Sequence, residues 1–475
     1  MRRVKPRIVI VGAGLGGCFV AHGLAETHDV TMVELGSAST DLQARVKDLA
    51  APALISPHIG AGLGGTTALW HNGLIEVDRQ VFSESWPFPK AELAPYYAEA
   101  YPFLAGVPLE LVERGITTLR QKYVAAGLPR LRLPGLFYPR TRRNAWHALN
   151  LEGRVRVVIG EVVALEPDGE NRIRHVRVKT AAGEEDIEGD AFVLSAGGLS
   201  TPLLLQQLAT RLSLPSLEHA GCHYEDHPMA FVGELTMRAP LYRFWNFAAP
   251  GTGGNVHMPL VVQQDGLNVS FYIRPAASFY RTSRRERVHS VVTEIRNNRF
   301  NPIGYFRLLT HWDDILDILS FEFGIRLPTS RYSLLMVAQQ PPATGRAVWG
   351  AVDPTTGESM IQRNWQLTPD YLAVLDRAIA QVLGHLRNMV TSINVFPNWQ
   401  ATLHSAAHHS GTARMAASPR DGVCDANAGV HGLQNLYVAD GSIIPGCGIA
   451  NTGLTIAALA LRLAKHVKAT VPASS

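Results

Sequence analysis

The N-terminal segment reads Ile8-Val9-Ile10-Val11-Gly12-Ala13-Gly14-Leu15-Gly16-Gly17. Its first four residues form a short apolar run without alternation, which predicts a strand buried on both faces of a parallel sheet. The glycine turn leads into an expected helix over residues 15–26, and a second strand over residues 30–33 ends at Glu34. Together these elements make a βαβ unit of about 30 residues, the size that this motif requires.

The spacing of Gly12, Gly14 and Gly17 predicts that this unit binds a dinucleotide. Gly12 permits the tight turn, Gly14 lets the backbone approach a pyrophosphate, and Gly17 lets the helix pack closely on the strand. The N-terminus of the helix offers N–H groups and a positive dipole to phosphate. Glu34 follows at the end of the second strand, where a carboxylate accepts hydrogen bonds from ribose hydroxyls and repels a 2′-phosphate.

The composition is that of a globular protein. Of the 475 residues, 46% are hydrophobic and 18% are charged, and the formal net charge is +4. Such a small charge does not argue for a nucleic-acid partner. The cysteines are scattered without CxxC spacing, so a reduced interior is expected.

Neither end of the chain predicts a membrane segment. The first strand begins almost directly after Met1, which leaves no room for a signal peptide. The apolar stretch over residues 443–464 contains Pro445 and Asn451 and is expected to be a loop leading into a core helix. We therefore expect a cytoplasmic protein without a membrane span.

The middle of the chain changes character and then returns to the first pattern. A small sheet is expected over residues 154–195, and a helix over residues 200–210. Antiparallel strands are predicted over residues 260–264, 268–273 and 334–338, and a helix over residues 369–390. Glycine loops, a strand over residues 435–439 and a helix over residues 454–468 complete the chain. We interpret the basic run Arg281–Arg287 as a solvated loop and the apolar spacing over residues 312–323 as a core or lid helix.

This order predicts an α/β fold with a discontinuous, Rossmann-like dinucleotide-binding domain. That domain comprises residues 1–230 and 401–475. Residues 231–400 form a second, substrate-binding domain built on an antiparallel sheet.

Further motifs carry a resemblance to a known family. They are the glycine loop Gly64-Gly65-Thr66-Thr67-Ala68-Leu69-Trp70, the corner Asp226-His227-Pro228, and the C-terminal block with His408-His409-Ser410-Gly411-Thr412, Asp440 and Asn451. In these segments the chain resembles the glucose–methanol–choline (GMC) oxidoreductases, a family of flavoproteins. The resemblance runs through nearly the whole chain and is weakest between residues 229 and 400. It implies FAD, rather than NAD, as the tightly held cofactor.

The resemblance implies that the protein oxidises the CH–OH group of an alcohol by hydride transfer to flavin N5. The family places its histidine base three residues before the Gly-Thr pair, which here is His408, and its partner here is Asn451. Histidine suits this role because its charge changes near neutral pH. Thr452 stands where the family usually has proline.

The glycine turn and the resemblance together assign residues to the cofactor. They are Gly12, Gly14, Leu15, Gly17, Glu34, Gly65, Thr66, Thr67, Trp70, His71, Asn72, Val162, Ala196, Gly197, Asp440, Gly441, Asn451 and Thr452.

Two alternatives concern histidines. Some GMC oxidoreductases link FAD covalently through a histidine in the second glycine loop, but His71 is displaced from the usual positions, so non-covalent FAD is expected. His404, His408 and His409 lie close enough in sequence to suggest a metal. No acidic or cysteine ligand adjoins them in sequence, and we expect no metal.

The substrate and the electron acceptor stay open. A sugar or polyol-like alcohol is the leading hypothesis, followed by a natural-product intermediate, with dioxygen or another molecule as acceptor. One alternative is a flavin-containing lyase without net redox chemistry. Another is a non-catalytic flavoprotein that binds a partner.

Overall fold

A computed structural model gives the structure of the protein. It describes residues 5–49, 59–125, 134–139, 141–169, 171–238, 247–248, 254–275, 291, 294–295, 297–298, 301–310, 315, 331–355 and 359–472. The basic run Arg281–Arg287 lies outside the described residues, as does the segment 312–323 apart from residue 315.

The described residues form helices and strands along the whole chain. The helices are α1 (Leu15–Leu24), α2 (Arg79–Ser85), α3 (Ala94–Ala105), α4 (Leu109–Ala125), α5 (Ala145–Ala148), α6 (Thr201–Ala209), α7 (Pro302–Thr310), α8 (Pro369–Leu386) and α9 (Thr452–Thr470). The strands up to the middle of the chain are β1 (Arg7–Val11), β2 (Asp29–Glu34), β3 (Thr40–Asp41), β4 (Val46–Asp48), β5 (Gly60–Ala61), β6 (Leu136–Tyr138), β7 (Arg156–Ile159), β8 (Glu161–Pro167), β9 (Ile173–Thr180), β10 (Gly183–Glu188) and β11 (Ala191–Leu194). The later strands are β12 (Pro228–Met237), β13 (Phe247–Ala248), β14 (Asn255–His257), β15 (Leu260–Gln264), β16 (Leu267–Pro275), β17 (Arg331–Ala338), β18 (Val348–Val352), β19 (Ser359–Arg363), β20 (Val390–Val395), β21 (His404–Ser405) and β22 (Leu436–Val438).

A parallel sheet with the order β22-β11-β1-β2-β7 forms the centre of the Rossmann-like part. β1 pairs with β11 on one side and with β2 on the other, with Ile8 opposite Ala191 and Ile10 opposite Met32. Residues 8–11 are all buried, as the apolar run predicted. Because the strands are parallel, the carboxyl ends of β1, β2, β11 and β22 share one edge, where ligands bind in such sheets.

The expectation of one small sheet over residues 154–195 is wrong. β7 pairs in parallel with β2 and β11 pairs in parallel with β1, so both strands belong to the central sheet. A separate antiparallel sheet, β10-β9-β8, lies between them in sequence. β7 lies at the edge of the central sheet and is only partly buried. Its sequence therefore alternates between apolar and polar residues, as that of a strand in a surface sheet does.

An antiparallel sheet dominates the later region, as expected. Its strands follow the order β15-β16-β17-β12-β20, and β21 pairs with β12. The strands predicted over residues 260–264, 268–273 and 334–338 are confirmed as β15, β16 and β17. The helix predicted over residues 369–390 is α8, which is followed by a 3-10 turn over Arg387–Met389.

The first and last long helices pack closely against each other. A Cβ at Gly23 in α1 would lie 2.5 Å from the Cβ of Ala464 in α9, so the glycine permits this contact. Tyr97 in α3 also meets α9, with its hydroxyl 3.0 Å from Thr455 Oγ1. The chain therefore returns to the first fold unit at its C-terminal end, and α9 begins directly after Asn451.

The proposed division at residues 230 and 400 stays a prediction. Strands from the two predicted domains pair with each other: β4 with β19, and β6 with β14. None of the helices in the described ranges combines the length and hydropathy that crossing a bilayer requires.

Candidate active site

Two glycines of the turn between β1 and α1, Gly12 and Gly17, leave no room for a side chain. The φ angle of Gly12 is +100°, and a Cβ there would lie 2.4 Å from the carbonyl oxygen of Ser195. A Cβ at Gly17 would lie 2.3 Å from the carbonyl oxygen of Gly12, so only glycine lets α1 pack this close to β1. At Gly14 the nearest atom, Ser195 O, would be 3.5 Å away. The helix begins there without a side-chain cap, which suits a phosphate group.

Ser195 connects this turn to the C-terminal part of the chain. Its Oγ accepts a hydrogen bond from the Gly17 N–H at 2.6 Å and donates to the Ala439 carbonyl at 2.9 Å. The side chain is buried. Three segments that are distant in sequence are therefore joined at the edge where β1, β11 and β22 end.

Glu34 lies at the end of β2 and turns its carboxylate into the glycine turn. Oε2 accepts a hydrogen bond from the Ala13 N–H at 2.7 Å, and Oε1 accepts one from the Gly62 N–H at 2.9 Å. Burial raises the pKa of Glu34, and these backbone hydrogen bonds oppose that shift. Oε1 also accepts a hydrogen bond from the Gly36 N–H at 3.4 Å, so Oε2 is the oxygen that can still accept one from a ribose hydroxyl.

The second glycine loop packs directly against the first turn. The Gly64 N–H donates to the Ala13 carbonyl at 2.9 Å. A Cβ at Gly65, whose φ is +53°, would lie 2.8 Å from the Cα of Gly14. Thr67 is buried, and its hydroxyl donates to the Gly64 carbonyl at 2.5 Å. The two glycine-rich segments thus form one continuous backbone surface.

Asp440 holds together the loop after β11 and the segment after β22. Its Oδ2 accepts hydrogen bonds from the Gly197 N–H at 2.9 Å and from the Thr201 hydroxyl at 2.5 Å. Its Oδ1 accepts hydrogen bonds from the backbone N–H and the hydroxyl of Ser442, at 2.8 and 2.5 Å. Burial raises the pKa of Asp440. The carboxylate therefore fixes the loop that contains Ala196 and Gly197.

The histidine segment lies against the same two loops. The carbonyl oxygen of His409 would be 2.3 Å from a Cβ at Gly198 and 2.5 Å from a Cβ at Gly441. Both positions therefore require glycine for this close approach. As a result, His408 and His409 lie next to the loops that Asp440 fixes.

Asp226 anchors the backbone on both sides of the site. Its Oδ1 accepts hydrogen bonds from the backbone N–H groups of His227, at 2.7 Å, and His408, at 3.0 Å. Its Oδ2 accepts from the hydroxyl of Ser405, and the Ser405 Oγ in turn accepts from the Ala407 N–H at 2.9 Å. One fully buried carboxylate thus determines where the histidine segment starts and where His408 stands.

His408 and His227 are joined directly through their rings. The two Nδ1 atoms are 2.8 Å apart, and the ring planes meet at 82°. His227 Nε2 lies 3.2 Å from Cys447 Sγ. Cys447 occupies the turn just before Asn451, because the Ala450 N–H donates to the Cys447 carbonyl at 3.0 Å. The segments of both predicted catalytic residues therefore meet through His227 and Cys447.

Both of these histidines are neutral at neutral pH. Burial lowers the pKa of His408 to about 3, and the neighbouring His227 contributes in the same direction. Burial also lowers the pKa of His227 to about 4. A neutral imidazole can accept a proton, as a general base must.

A buried polar network supports Asp226 from the other side. Burial alone would raise the pKa of Asp226, but hydrogen bonding and charge from His409, together with Arg363, hold it well below its usual range. Arg363 is fully buried and also pairs with Asp48, with Nε 2.6 Å from Oδ1. The Tyr224 hydroxyl lies 2.8 Å from His409 Nδ1 and accepts from Arg363 Nη1 at 3.0 Å. This network links β4, β19 and the segment before β12.

The second glycine loop also reaches Asn451. A Cβ at Gly73 would lie 2.9 Å from Asn451 Nδ2, and a Cβ at Gly453 would lie 2.4 Å from the ring of Trp70. Trp70 is fixed by a hydrogen bond from its Nε1 to the Arg143 carbonyl at 3.1 Å. The start of α9 therefore packs on the loop that follows the glycine turn.

Comparisons with known proteins agree with this arrangement. A family model described as GMC oxidoreductase matches residues 346–460, which include both His408 and Asn451. An uncharacterized GMC-type oxidoreductase of Mycobacterium tuberculosis strain CDC 1551 / Oshkosh is 26% identical over 532 residues, covering 98% of this chain and 76% of that protein. Its counterpart in strain H37Rv gives the same values. The chain is thus similar to GMC oxidoreductases, in a C-terminal family match and over nearly its whole length in the relatives.

Solved structures show the same fold. Pyridoxine 4-oxidase from Mesorbium loti is 18% identical, with a TM-score of 0.62 over 97% of this chain and 99% of that one. A formate oxidase from Aspergillus oryzae RIB40 is 17% identical, with a TM-score of 0.60 over 98% of each chain. These likenesses support the α/β architecture with a central parallel sheet and a large antiparallel sheet.

GMC oxidoreductases bind FAD, and the residues present here fit that cofactor. Asn72 is almost fully buried, and its Oδ1 lacks a hydrogen-bond partner among the described residues. Its Nδ2 donates to the Leu104 carbonyl at 3.0 Å. Buried polar atoms are rarely left unpaired, so this oxygen fits the N–H of a bound ligand. The uncapped start of α1 and the Glu34 carboxylate complete a site for a dinucleotide.

The other residues assigned to the cofactor lie at the surface of the second glycine loop, at the start of α9 and in β8. Thr66 and His71 are exposed, and Thr452 is buried as the first residue of α9. Val162 lies in β8 beside an irregularity in its pairing with β9. These assignments stay predictions for the GMC-type site.

No metal site emerges in the part of the chain that the structure describes. His404 points elsewhere, since its Nδ1 lies 2.8 Å from the Thr402 carbonyl. The structure does bring Cys447 and Asp226 close to the histidines, neighbours that sequence adjacency had not revealed.

The sequence reasoning missed several residues that hold this GMC-type site together. Ser195 has a sequence signal, because it directly follows a buried strand at the ligand-binding edge. The corner Asp226-His227 carries the family resemblance, but its sequence does not indicate that His227 contacts His408. Tyr224, Cys447 and Arg363 carry no comparable signal, because the contacts that join them to the site reach partners more than 100 residues away.

Proposed function

We propose that the protein is an FAD-dependent oxidoreductase that oxidises the CH–OH group of an alcohol, with His408 as general base. The observation that carries the proposal is the Nδ1–Nδ1 contact of 2.8 Å between His408 and His227. This contact occupies Nδ1 of the neutral His408 imidazole. Nε2 is then the only atom of the His408 ring that can take a proton from the substrate. His408 is half-buried, so part of its side chain stays accessible.

FAD would be held by the backbone of the two glycine loops, by Glu34 at its ribose and by the Asp440 region. The orphaned Oδ1 of Asn72 would pair with a ligand N–H. Bound FAD supplies the acceptor for the hydride that leaves the carbinol carbon.

His408 takes the hydroxyl proton of the substrate at Nε2. An unactivated alcohol is a poor hydride donor, and a positioned base typically contributes about 10²–10⁴-fold to the rate. The Asn451 carboxamide donates a hydrogen bond to the same oxygen and fixes the orientation of the carbon. A base and a second polar group on one oxygen hold the substrate in the geometry for reaction.

The substrate class is part of the same proposal. A sugar or polyol-like alcohol is our leading proposal, and a natural-product intermediate is the next. The names of the solved neighbours specify pyridoxine in one case and formate in the other. Both neighbours are oxidases by name, which favours dioxygen as acceptor here, with another electron acceptor as the alternative.

The test is a panel of alcohols added anaerobically to the purified holoprotein. It would contain D-glucose, glycerol, benzyl alcohol and pyridoxine, with formate as a non-alcohol comparison. Loss of flavin absorbance with an alcohol supports the proposal, and admission of air followed by peroxide measurement identifies an oxidase. Product formation with unchanged flavin absorbance would instead establish lyase chemistry. Reduction by formate alone would overturn the CH–OH assignment.

We further propose that FAD is bound without a covalent link. His71 is the candidate for attachment, and it is exposed in the structure. Acid precipitation should therefore give a colourless pellet and a yellow supernatant. A yellow pellet that turns colourless in the His71→Ala variant would show a covalent link through this residue.

A further inference from the structure

The contact between His408 and His227 restricts where protons can be. The two Nδ1 atoms are 2.8 Å apart, so one of them must donate and the other must accept. With both rings neutral, each carries one proton on one of its two nitrogens. The proton between the rings therefore determines the tautomer of both histidines.

Two arrangements satisfy this restriction. In the first, His408 carries its proton on Nδ1 and donates to His227, which leaves His408 Nε2 unprotonated. In the second, His227 Nδ1 carries the proton and donates, so His408 carries its own proton on Nε2. Only the first arrangement allows His408 to act as a base toward a substrate at Nε2.

The surroundings of Cys447 favour the first arrangement. Its Sγ lies 3.2 Å from His227 Nε2, 3.6 Å from Ser410 Oγ and 3.9 Å from Glu225 Oε2. In the first arrangement, His227 Nε2–H donates to the sulfur, and the S–H is directed to Glu225. In the second, the S–H must turn to His227, and the buried Oε2 of Glu225 loses this donor. In the first arrangement the thiol therefore both accepts a hydrogen bond, from His227, and donates one, to Glu225. This arrangement is favoured because buried polar groups keep their hydrogen-bond partners.

The rings cannot easily leave this geometry. The backbone N–H groups of His227 and His408 both bind Asp226 Oδ1, at 2.7 and 3.0 Å. His227 and Cys447 are buried, at 1% exposure each. The distance between the two rings is therefore set by a common backbone anchor rather than by two independent side chains.

We propose that His227 is a positioning residue which, together with Cys447, keeps the proton of His408 on Nδ1 and leaves Nε2 free to receive the proton of the substrate hydroxyl. This inference rests on the proposed function. When the substrate O–H bond breaks, an Nε2–H bond forms, and the resulting imidazolium remains hydrogen-bonded through Nδ1–H to His227 Nδ1. The electron pair of the C–H bond leaves with the hydride, so the substrate becomes a carbonyl compound.

The first test reads the tautomer directly and needs no substrate. The holoprotein would be labelled with ¹⁵N-histidine, and His408 would be assigned by loss of its signals in His408→Gln. Long-range ¹H–¹⁵N spectra distinguish a protonated Nδ1 from a protonated Nε2. We expect Nδ1–H in the wild type, and a proton on Nε2 would overturn the proposal.

The second test uses a matched pair of substitutions at His227. An asparagine side chain at this position would offer its oxygen at about the place of the imidazole Nδ1, whereas leucine has similar bulk but no acceptor. The variant His227→Leu should therefore shift His408 toward Nε2–H and reduce the rate of flavin reduction at least about 100-fold, because a histidine in the wrong tautomer is no base. The variant His227→Asn should keep the Nδ1–H signal and most of the rate.

The controls separate this inference from the proposed function. His404→Leu makes the same change four residues before His408, and it should leave tautomer and rate unchanged. FAD content is compared by absorbance in every variant, and KM should change much less than kcat in His227→Leu. An equal loss of the rate of flavin reduction in His227→Leu and His227→Asn would overturn the role of His227 as a hydrogen-bond acceptor. If no alcohol reduces the wild type, the proposed function fails, and the tautomer spectrum still decides the arrangement of the rings.

Discussion

His227 and His408, which lie 181 positions apart in the chain, are held by a single carboxylate oxygen, Asp226 Oδ1. A corner before β12 and the segment after β21 thereby become one unit. The rings of the two histidines meet because their backbones share this anchor. The geometry of the proposed base therefore depends on a residue far from it in sequence.

Removing the proposed base should abolish most catalysis while the cofactor stays bound. In His408→Ala, flavin content should equal that of the wild type, because no backbone group of the glycine loops is altered. The rate of anaerobic flavin reduction should fall at least about 100-fold, the lower end for loss of a general base. His404→Ala is the matched control. An unchanged rate in His408→Ala would refute the role of this residue.

Neutralising the shared anchor should destabilise the whole site. Asp226→Asn keeps the side-chain size but removes the charge that faces the buried Arg363 and His409. Breaking one partner of a buried ion pair costs about 3–5 kcal/mol, so the free energy of unfolding should fall by roughly that amount. Denaturant unfolding of the holoprotein measures the change. Asp186→Asn, in an exposed pair with Arg177, should change it far less, because solvent screens exposed ion pairs.

Acidification should weaken the fold through the buried histidines. The pKa of His227 is about 4 and that of His408 about 3, both lowered mainly by burial. An unfolded chain protonates histidine near pH 6.5. Between these values the unfolded state binds more protons than the folded state. The contribution of the two histidines to the free energy of unfolding is therefore fully present above pH 6.5 and is lost as the pH drops toward 4.

How steeply the free energy of unfolding falls with pH identifies the groups that cause the fall. Each such histidine contributes about 1.4 kcal/mol per pH unit between its two pKa values. Unfolding with excess FAD at a series of pH values should therefore show a shallower decline in the double variant His227→Asn/His408→Gln than in the wild type. An identical slope in both proteins would mean that these rings are not the source.

Loss of the Ser195 hydroxyl should loosen the glycine turn. Ser195→Ala leaves the Gly17 N–H and the Ala439 carbonyl without their side-chain partner, which costs about 1–3 kcal/mol for buried groups. We expect weaker FAD binding, measured by fluorescence titration of the apoprotein, and a lower melting temperature. Ser200→Ala is the control, since Ser200 makes no side-chain cap at the start of α6. Equal FAD affinity in both variants would contradict the role of Ser195.

Local patterns predicted much of the fold. The apolar run before Gly12, the glycine spacing and the acid at Glu34 gave the first βαβ unit, because strand burial and turn geometry depend on neighbouring residues. Three strands of the antiparallel sheet, β15, β16 and β17, and the last helix were also predicted within a few residues, whereas β12 and β20 were not. The assignment of residues 154–195 to one sheet was wrong, because the partner of a strand is a long-range choice that alternation does not encode.

The sequence by itself determined that a dinucleotide fold is present and that a histidine stands three residues before Gly411. Only the tertiary structure decided that His227 contacts that histidine, that Cys447 contacts His227, and that Ser195 joins the turn to the C-terminal strand. The physical reason is that backbone conformation and burial pattern are local properties of a chain. Hydrogen bonds between side chains 100 or more residues apart depend instead on how the completed sheets and loops pack.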